Sequence, residues 1–159
     1  IIKLEQNEIK VPKNLLLRCN EDDPETVIVN ALISFREEDF QEALEKYKEA
    51  IEILGYQADL MYNVAVCHYK LGEFDESIQI IDEIIEKGWK DKPEFRLKNL
   101  DGTTLRSFSN YYELHESQLI EAYNLKAAIY FLRANPDSAR EIFTQMPPRP
   151  EEEIDPVTL

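Results

Sequence analysis

An internal repeat with a period of 34 residues constrains the fold of this chain more than any other feature. Residues 58–85 predict two amphipathic helices joined by a turn at Gly72, because apolar side chains recur at helical spacing on both sides of that glycine. Moving this stretch back by one period aligns small and apolar residues. The aligned pairs are Ala31 with Ala65, Ser34 with His68, Phe40 with Phe74, Ala43 with Ser77, Tyr47 with Ile81 and Ala50 with Ile84. Such a helix pair cannot bury its apolar faces alone, so like units must stack on one another.

The same stretch also matches sequence further along the chain. Moving it forward by 62 residues, which is one period of 34 plus 28, aligns its core positions with Ala127, Tyr130, Ala139, Phe143 and Met146. A period of 34 residues, with a small residue followed four positions later by a bulky apolar one, is typical of the tetratricopeptide repeat. The sequence therefore predicts an all-α tetratricopeptide-repeat solenoid, a right-handed superhelix of antiparallel helix pairs with one long insertion between repeats.

Turn and capping residues place the boundaries of these repeats. Asp23 and Asn135 each precede a proline and predict helix starts, because their side chains can accept a bond from a free backbone N–H. Gly88 is predicted to end the second helix of the central repeat. The predicted organisation is a remnant of a preceding repeat at 1–19, a repeat at 22–57, a repeat at 58–87, an inserted loop at 88–109, a repeat with an extended first helix at 110–146, and a proline-rich exit with the start of the next repeat at 147–159.

The charge of the chain excludes some classes of partner. It has 32 acidic and 18 basic residues, for a formal charge of −14, so its field repels phosphate and argues against nucleic acid or an anionic membrane as a partner. No apolar run approaches the ~18 residues of a membrane span. Two cysteines, Cys19 and Cys67, make neither a disulfide framework nor a metal quartet, which favours a reducing, intracellular compartment. Because Ile1 is not methionine and the signal-peptide pattern is absent, we expect a segment of something longer.

The sequence offers little for catalysis or for a cofactor. Residues 115–118 carry the first half of a zinc-protease motif but lack its second histidine, and no glycine-rich phosphate loop is present. His68 lies on the predicted core stripe and has no partners at metal-ligand spacing, so we expect it to pack. The acidic runs 37–39 and 151–153 are expected to be solvated. We therefore predict a protein that is not an enzyme, with no catalytic, cofactor-binding or metal-binding residues.

A candidate binding surface lies on the first helix of each pair, which lines the concave side in this repeat class. Most residues beside the core stripe on these helices are apolar or aromatic. The predicted partner groove comprises Ile28, Leu32, Phe35, Tyr62, Val66, Tyr69, Asn124, Ala128 and Phe131. Arg36 and Lys70 supply little positive charge, whereas a chaperone-type clamp grips a terminal carboxylate through charge-assisted bonds. These residues therefore favour an extended apolar or proline-rich segment as the occupant. That the aromatic residues merely pack against adjacent helices remains open.

Three stretches of sequence resemble one known family. They are GYQADLMYNVAVCHYKLGEF at 55–74, LIEAYNLKAAIYFL at 119–132 and MPPRPEEEIDPVTL at 146–159. Together they resemble the fleer-type tetratricopeptide subunit of the intraflagellar transport complex B, which carries its insertion between the same two repeats. The resemblance implies a long superhelix that wraps a proline-rich segment of another complex B core subunit. It also implies a cytoplasmic and ciliary location, a role in cilium assembly, and an indirect link to polyglutamylation of axonemal tubulin.

An alternative function is a generic tetratricopeptide adaptor or co-chaperone that binds a peptide in its concave groove. It would have the same repeat core, but it would need neither the insertion at 88–109 nor the proline-rich exit at 147–159.

Overall fold

The computed structural model describes residues 20, 23–93 and 111–147 of the chain. Within these residues it contains seven α-helices and no strand, which confirms the all-α prediction. In chain order they are α1 (Pro24–Arg36), α2 (Phe40–Leu54), α3 (Ala58–Leu71), α4 (Phe74–Asp91), α5 (Tyr111–Glu116), α6 (Leu119–Leu132) and α7 (Pro136–Thr144). No helix in the described ranges combines the length and apolar character that a membrane crossing requires.

The chain divides within α4 into two compact units, Ile1–Ile80 and Ile81–Leu159. In the first unit α1 packs on α2 and α2 on α3, and in the second unit α6 packs on α7 and α5 on α6. The predicted remnant at 1–19, most of the predicted insertion at 88–109 and nearly all of the exit at 147–159 lie outside the described residues.

The predicted capping residues lie where the helices begin and end. The Asp23 carboxylate accepts a bond of 3.3 Å from the backbone N–H of Thr26, and the Asn135 side chain accepts one of 3.2 Å from Ser138. Gly72 ends α3 with φ 81° and ψ 8°, a left-handed conformation that costs glycine little. These three boundary predictions are confirmed.

The residues aligned by the repeat occupy equivalent buried positions. Both members of every pair aligned over one period are buried except Phe40 and Phe74, which are half-buried. Ser77 is fully buried, and its hydroxyl donates a bond of 2.8 Å to the backbone carbonyl of Ala65. The small side chain at this position therefore lets the backbones of α3 and α4 come close, as the repeat predicts.

Each described pair of the first unit also buries one polar side chain that is tied to a carboxylate. The Ser34 hydroxyl donates a bond of 2.9 Å to Glu42, and His68, its counterpart in the next repeat, lies with Nδ1 2.6 Å from the Glu73 carboxylate. Both side chains are therefore satisfied within the helix pair, because a buried polar group without a partner would cost stability. This contact gives the core histidine predicted from the sequence a structural role.

The core of the first unit contains a phenol and a thiol. Tyr47 is 1% exposed and Cys67 is 0% exposed, and both belong to the cluster formed by α1, α2 and α3. Burial raises the pKa of the Cys67 thiol to about 12, since the thiolate would lose its hydration. Burial, and then the neighbouring Cys67, raises the pKa of the Tyr47 hydroxyl above its usual value. Both groups are therefore neutral in the folded protein at physiological pH.

The second unit has its own core, and it departs from the repeat at one position. Leu119, Tyr123 and Ala127 of α6 pack with Ile142 of α7. Phe143, which the repeat aligns with Ile81 and Tyr47, is 47% exposed. The expectation that it is a core residue is wrong. The reason is that Tyr47 is covered by the helix that follows it, α3, whereas no helix follows α7 within the described residues.

The extended first helix predicted in 110–146 is also wrong, because the structure breaks it into α5 and α6. Ser117 donates its hydroxyl to the Leu114 carbonyl and accepts a bond of 3.3 Å from the Leu119 N–H. These bonds compete with the helical pattern. Gln118 then adopts φ 55°, which a continuous helix does not permit. The break allows Leu114 to enter the core of the second unit, where it is 3% exposed.

A third correction concerns Gly88, which does not end its helix. The helix α4 continues to Asp91, so the predicted loop at 88–109 begins later than expected. A Cβ atom at this position would lie 2.8, 2.9 and 3.2 Å from carbon atoms of the Leu119 side chain. The glycine therefore permits close approach. Beside it, the Trp89 indole donates a bond of 2.9 Å to the Tyr123 hydroxyl.

Candidate functional site

The candidate site is the outer face of the first helix of each pair, which we treat helix by helix. On α1, Ile28, Leu32 and Phe35 are all half-buried and pack against the core of the first unit. The Phe35 ring meets Phe40, the first residue of α2, edge to face with 5.2 Å between the ring centroids. These three side chains therefore belong partly to the core and present only part of their surface to a partner.

On α3, the three predicted residues are likewise half-buried. They are Tyr62, Val66 and Tyr69. The Tyr69 ring lies 5.9 Å from that of Phe74, the first residue of α4, at a tilt of 51°. This contact repeats the one between Phe35 and Phe40 one period later. Packing within the pair thus accounts for part of the surface of both aromatic residues, as the alternative interpretation expected.

On α6 the predicted residues are more open. Asn124 is half-buried and Ala128 is exposed, while Phe131 is 69% exposed. The sequence interpretation missed Leu132, which is 57% exposed directly beside it. Its signal was available, since Leu132 is a large apolar residue that falls outside the core positions of the repeat. The α6 face therefore exposes more apolar surface than the corresponding faces of α1 and α3.

The charged residues beside these faces do not form a carboxylate clamp. Lys70 lies over the ring of Phe40, with 5.9 Å between its ammonium nitrogen and the ring centroid. On α6 the ammonium group of Lys126 is bonded to the Asp82 carboxylate. Glu37, Glu38 and Asp39 follow α1 and are exposed. The faces are thus apolar with acidic neighbours, which fits an apolar occupant better than a carboxylate terminus.

The described part of the chain contains no group of three or more histidine, cysteine, aspartate or glutamate side chains that could hold a metal ion. What these residues can do chemically is therefore contact: aromatic rings, aliphatic side chains and the Asn124 amide offer packing surface and hydrogen bonds to an extended peptide.

Comparison with known proteins agrees with this architecture. Residues 34–99 match the family model of the tetratricopeptide repeat. The chain is 40% identical over 159 residues to intraflagellar transport protein 70A of Danio rerio, covering 99% of this chain and 24% of the relative. It is 41% identical over 159 residues to the tetratricopeptide repeat protein 30 homolog of Caenorhabditis elegans, with the same coverage of 99% and 24%. It is also 41% identical over 126 residues to human intraflagellar transport protein 70B, covering 79% of this chain and 19% of the relative.

The fold and the family match define this chain as part of a tetratricopeptide-repeat α-solenoid. The chain spans about a quarter of the length of the curated relatives it matches, 24% for the zebrafish protein. With about 40% identity along nearly all of its own length, the chain belongs to the intraflagellar transport protein 70 family.

Proposed function

We propose that this chain is part of a non-catalytic scaffold of ciliary intraflagellar transport, whose first-helix faces hold an extended proline-rich segment of another complex B core subunit. The relatives are named for intraflagellar transport, which supports a role in the same process and an association with the cilium. The link to tubulin polyglutamylation that the resemblance implied stays a prediction.

The observation that carries this proposal is the apolar character of the first-helix faces. In a chain in which 31% of the residues are charged, none of the nine predicted groove residues is charged. A proline-rich segment matches such a surface, because it is already extended, presents flat rings for packing on aromatic side chains and offers carbonyl acceptors to hydroxyl and amide donors.

A triple substitution of aromatic groove residues tests the proposal. Replacing Tyr62, Tyr69 and Phe131 by serine in the full-length protein should reduce recovery of complex B subunits at least tenfold, since aromatic anchors dominate such interfaces. The measurement is quantitative mass spectrometry of material purified with the tagged variant from ciliated cells.

The matched control replaces exposed residues of the second helices, Glu45, Gln79 and Glu141, by serine. It should recover the same subunits as the unmodified protein. Because Tyr69 also contacts Phe74, thermal unfolding of both variants must show that they remain folded. Full recovery by a folded groove variant contradicts the proposal, and recovery of chaperones in place of transport subunits favours the adaptor alternative.

A further inference from the structure

Three aromatic residues lie at one repeat position, and the structure covers two of them from within their own helix pair. Phe35 contacts Phe40 and Tyr69 contacts Phe74. Each of these contacted phenylalanines is the first residue of its helix, α2 or α4. The phenylalanine thus shields the aromatic residue that lies five positions before it.

The third aromatic residue, Phe131, lacks this shield because the first residue of α7 is Pro136. Proline is well suited to that position in a helix, but its ring is not aromatic. Phe131 is accordingly 69% exposed, and within the described residues it makes no recorded ring contact. Leu132 and Ala128 extend the same exposed apolar patch.

The charges around this patch select its occupant. Between Glu121 and Arg133, the outward positions of α6 hold Asn124, Ala128 and Phe131, which carry no charge. The chain as a whole carries −14, so it repels acidic or phosphorylated peptides. A basic peptide would find no counter-charge on the patch. The charge balance therefore favours an uncharged segment.

We propose that Phe131 is the principal contact for an uncharged, proline-containing segment of another protein. A proline ring stacks on the open face of Phe131, and the Asn124 amide donates to a carbonyl of the segment, whose prolines lack N–H groups. The equivalent Phe35 and Tyr69 contribute less, because part of each ring is already covered. This inference rests on the proposed function and names the residue that contributes most to it.

Photo-crosslinking in the full-length protein tests which molecule contacts Phe131. Benzoylphenylalanine is placed at position 131 in ciliated cells, and, in a parallel sample, at position 66 on α3. Mass spectrometry should identify an uncharged, proline-containing peptide of another protein at position 131. A charged peptide without proline, a peptide of this same protein, or no crosslink at position 131 overturns the inference. If position 66 still captures a proline-rich segment, the proposed function survives that failure; if neither position does, both fail.

A second variant shields Phe131 without altering it. Pro136→Phe restores the arrangement seen in the other two pairs, and it should lower recovery of the crosslinked partner about tenfold, as Phe131→Ala does. Pro136→Ala removes the proline without adding a ring and should leave recovery unchanged. Equal recovery with Pro136→Phe and Pro136→Ala would show that the exposed ring is not the contact. All three variants should keep the thermal midpoint of the unmodified protein, because both positions are exposed.

Discussion

Replacing Ser77 by leucine should destabilise the chain by about 3 kcal/mol, because an added large side chain has no room between α3 and α4. Ser77 is 0% exposed, and its hydroxyl oxygen lies 2.8 Å from the Ala65 carbonyl oxygen. The substitution forces the two backbones apart, which costs about 1–3 kcal/mol, and it removes a buried hydrogen bond worth about 1 kcal/mol. Urea unfolding followed by circular dichroism at 222 nm, a wavelength that reports helix content, measures the change in the free energy of unfolding.

The matched control for this substitution is Ser77→Ala. Alanine occupies the equivalent position of the preceding repeat, where Ala43 is also 0% exposed. It preserves the close approach and loses only the hydrogen bond, so it should cost about 1 kcal/mol or less. If leucine were tolerated as well as alanine, the two helices would not meet at this position, and the repeat register would be wrong.

Raising the pH from 9 to 11 should lower the free energy of unfolding by about 3 kcal/mol through Cys67 alone. Burial raises the pKa of this thiol to about 12 in the folded protein. Above pH ~9 the unfolded chain releases the proton while the folded chain still holds it, so alkali favours unfolding by about 1.4 kcal/mol per pH unit. The stabilising contribution is complete below pH ~9 and is lost as the pH rises through the folded pKa. Tyr47, whose pKa is also raised, adds to the loss above pH ~10.

The alkaline effect can be separated from general charge repulsion by removing the titrating groups. In a Cys19→Ser background, Cys67→Ala combined with Tyr47→Phe should flatten the dependence of stability on pH between 9 and 11. Urea midpoints at each pH give the comparison. An equally steep dependence in the variant without these groups would mean that neither titrates in the core.

The sequence was most informative where local chemistry and repeat spacing agree. Small residues such as Ala43 and Ser77 mark the points of closest helix approach, and both are fully buried. Asp23 and Asn135 accept the backbone bonds expected of capping residues. These features depend on a few neighbouring residues, so the sequence alone was enough to predict them.

The failures have a common cause, which is that they depend on contacts distant in sequence. Gly88 looks like a helix end, but it lies inside α4 because Leu119 packs against it. Phe143 fits the repeat and is nevertheless 47% exposed, because burial at that position requires a following helix. The break at Gln118 arises from Ser117, whose hydroxyl bonds to the backbone on both sides. Helical periodicity contains none of this information.

The candidate site was predictable as a set of positions, but not in its internal differences. The sequence identified the first-helix faces and could not rank their residues. Contacts with Phe40 and Phe74 partly cover Phe35 and Tyr69, whereas Phe131 is open. The distinguishing signal, Pro136 in place of a phenylalanine, becomes meaningful only once the ring contacts of the other pairs are known.

The most direct test of the account compares two sets of register-equivalent positions by photo-crosslinking in the intact ciliary assembly. Benzoylphenylalanine replaces in turn Leu32, Val66 and Ala128 on the first helices, and Glu45, Gln79 and Glu141 on the second helices of the same pairs. We predict that the first set crosslinks to one proline-rich segment of another transport subunit, and that the second set does not. Crosslinks to such a segment from the second set, or from neither set, would contradict the claim that the first-helix faces hold it.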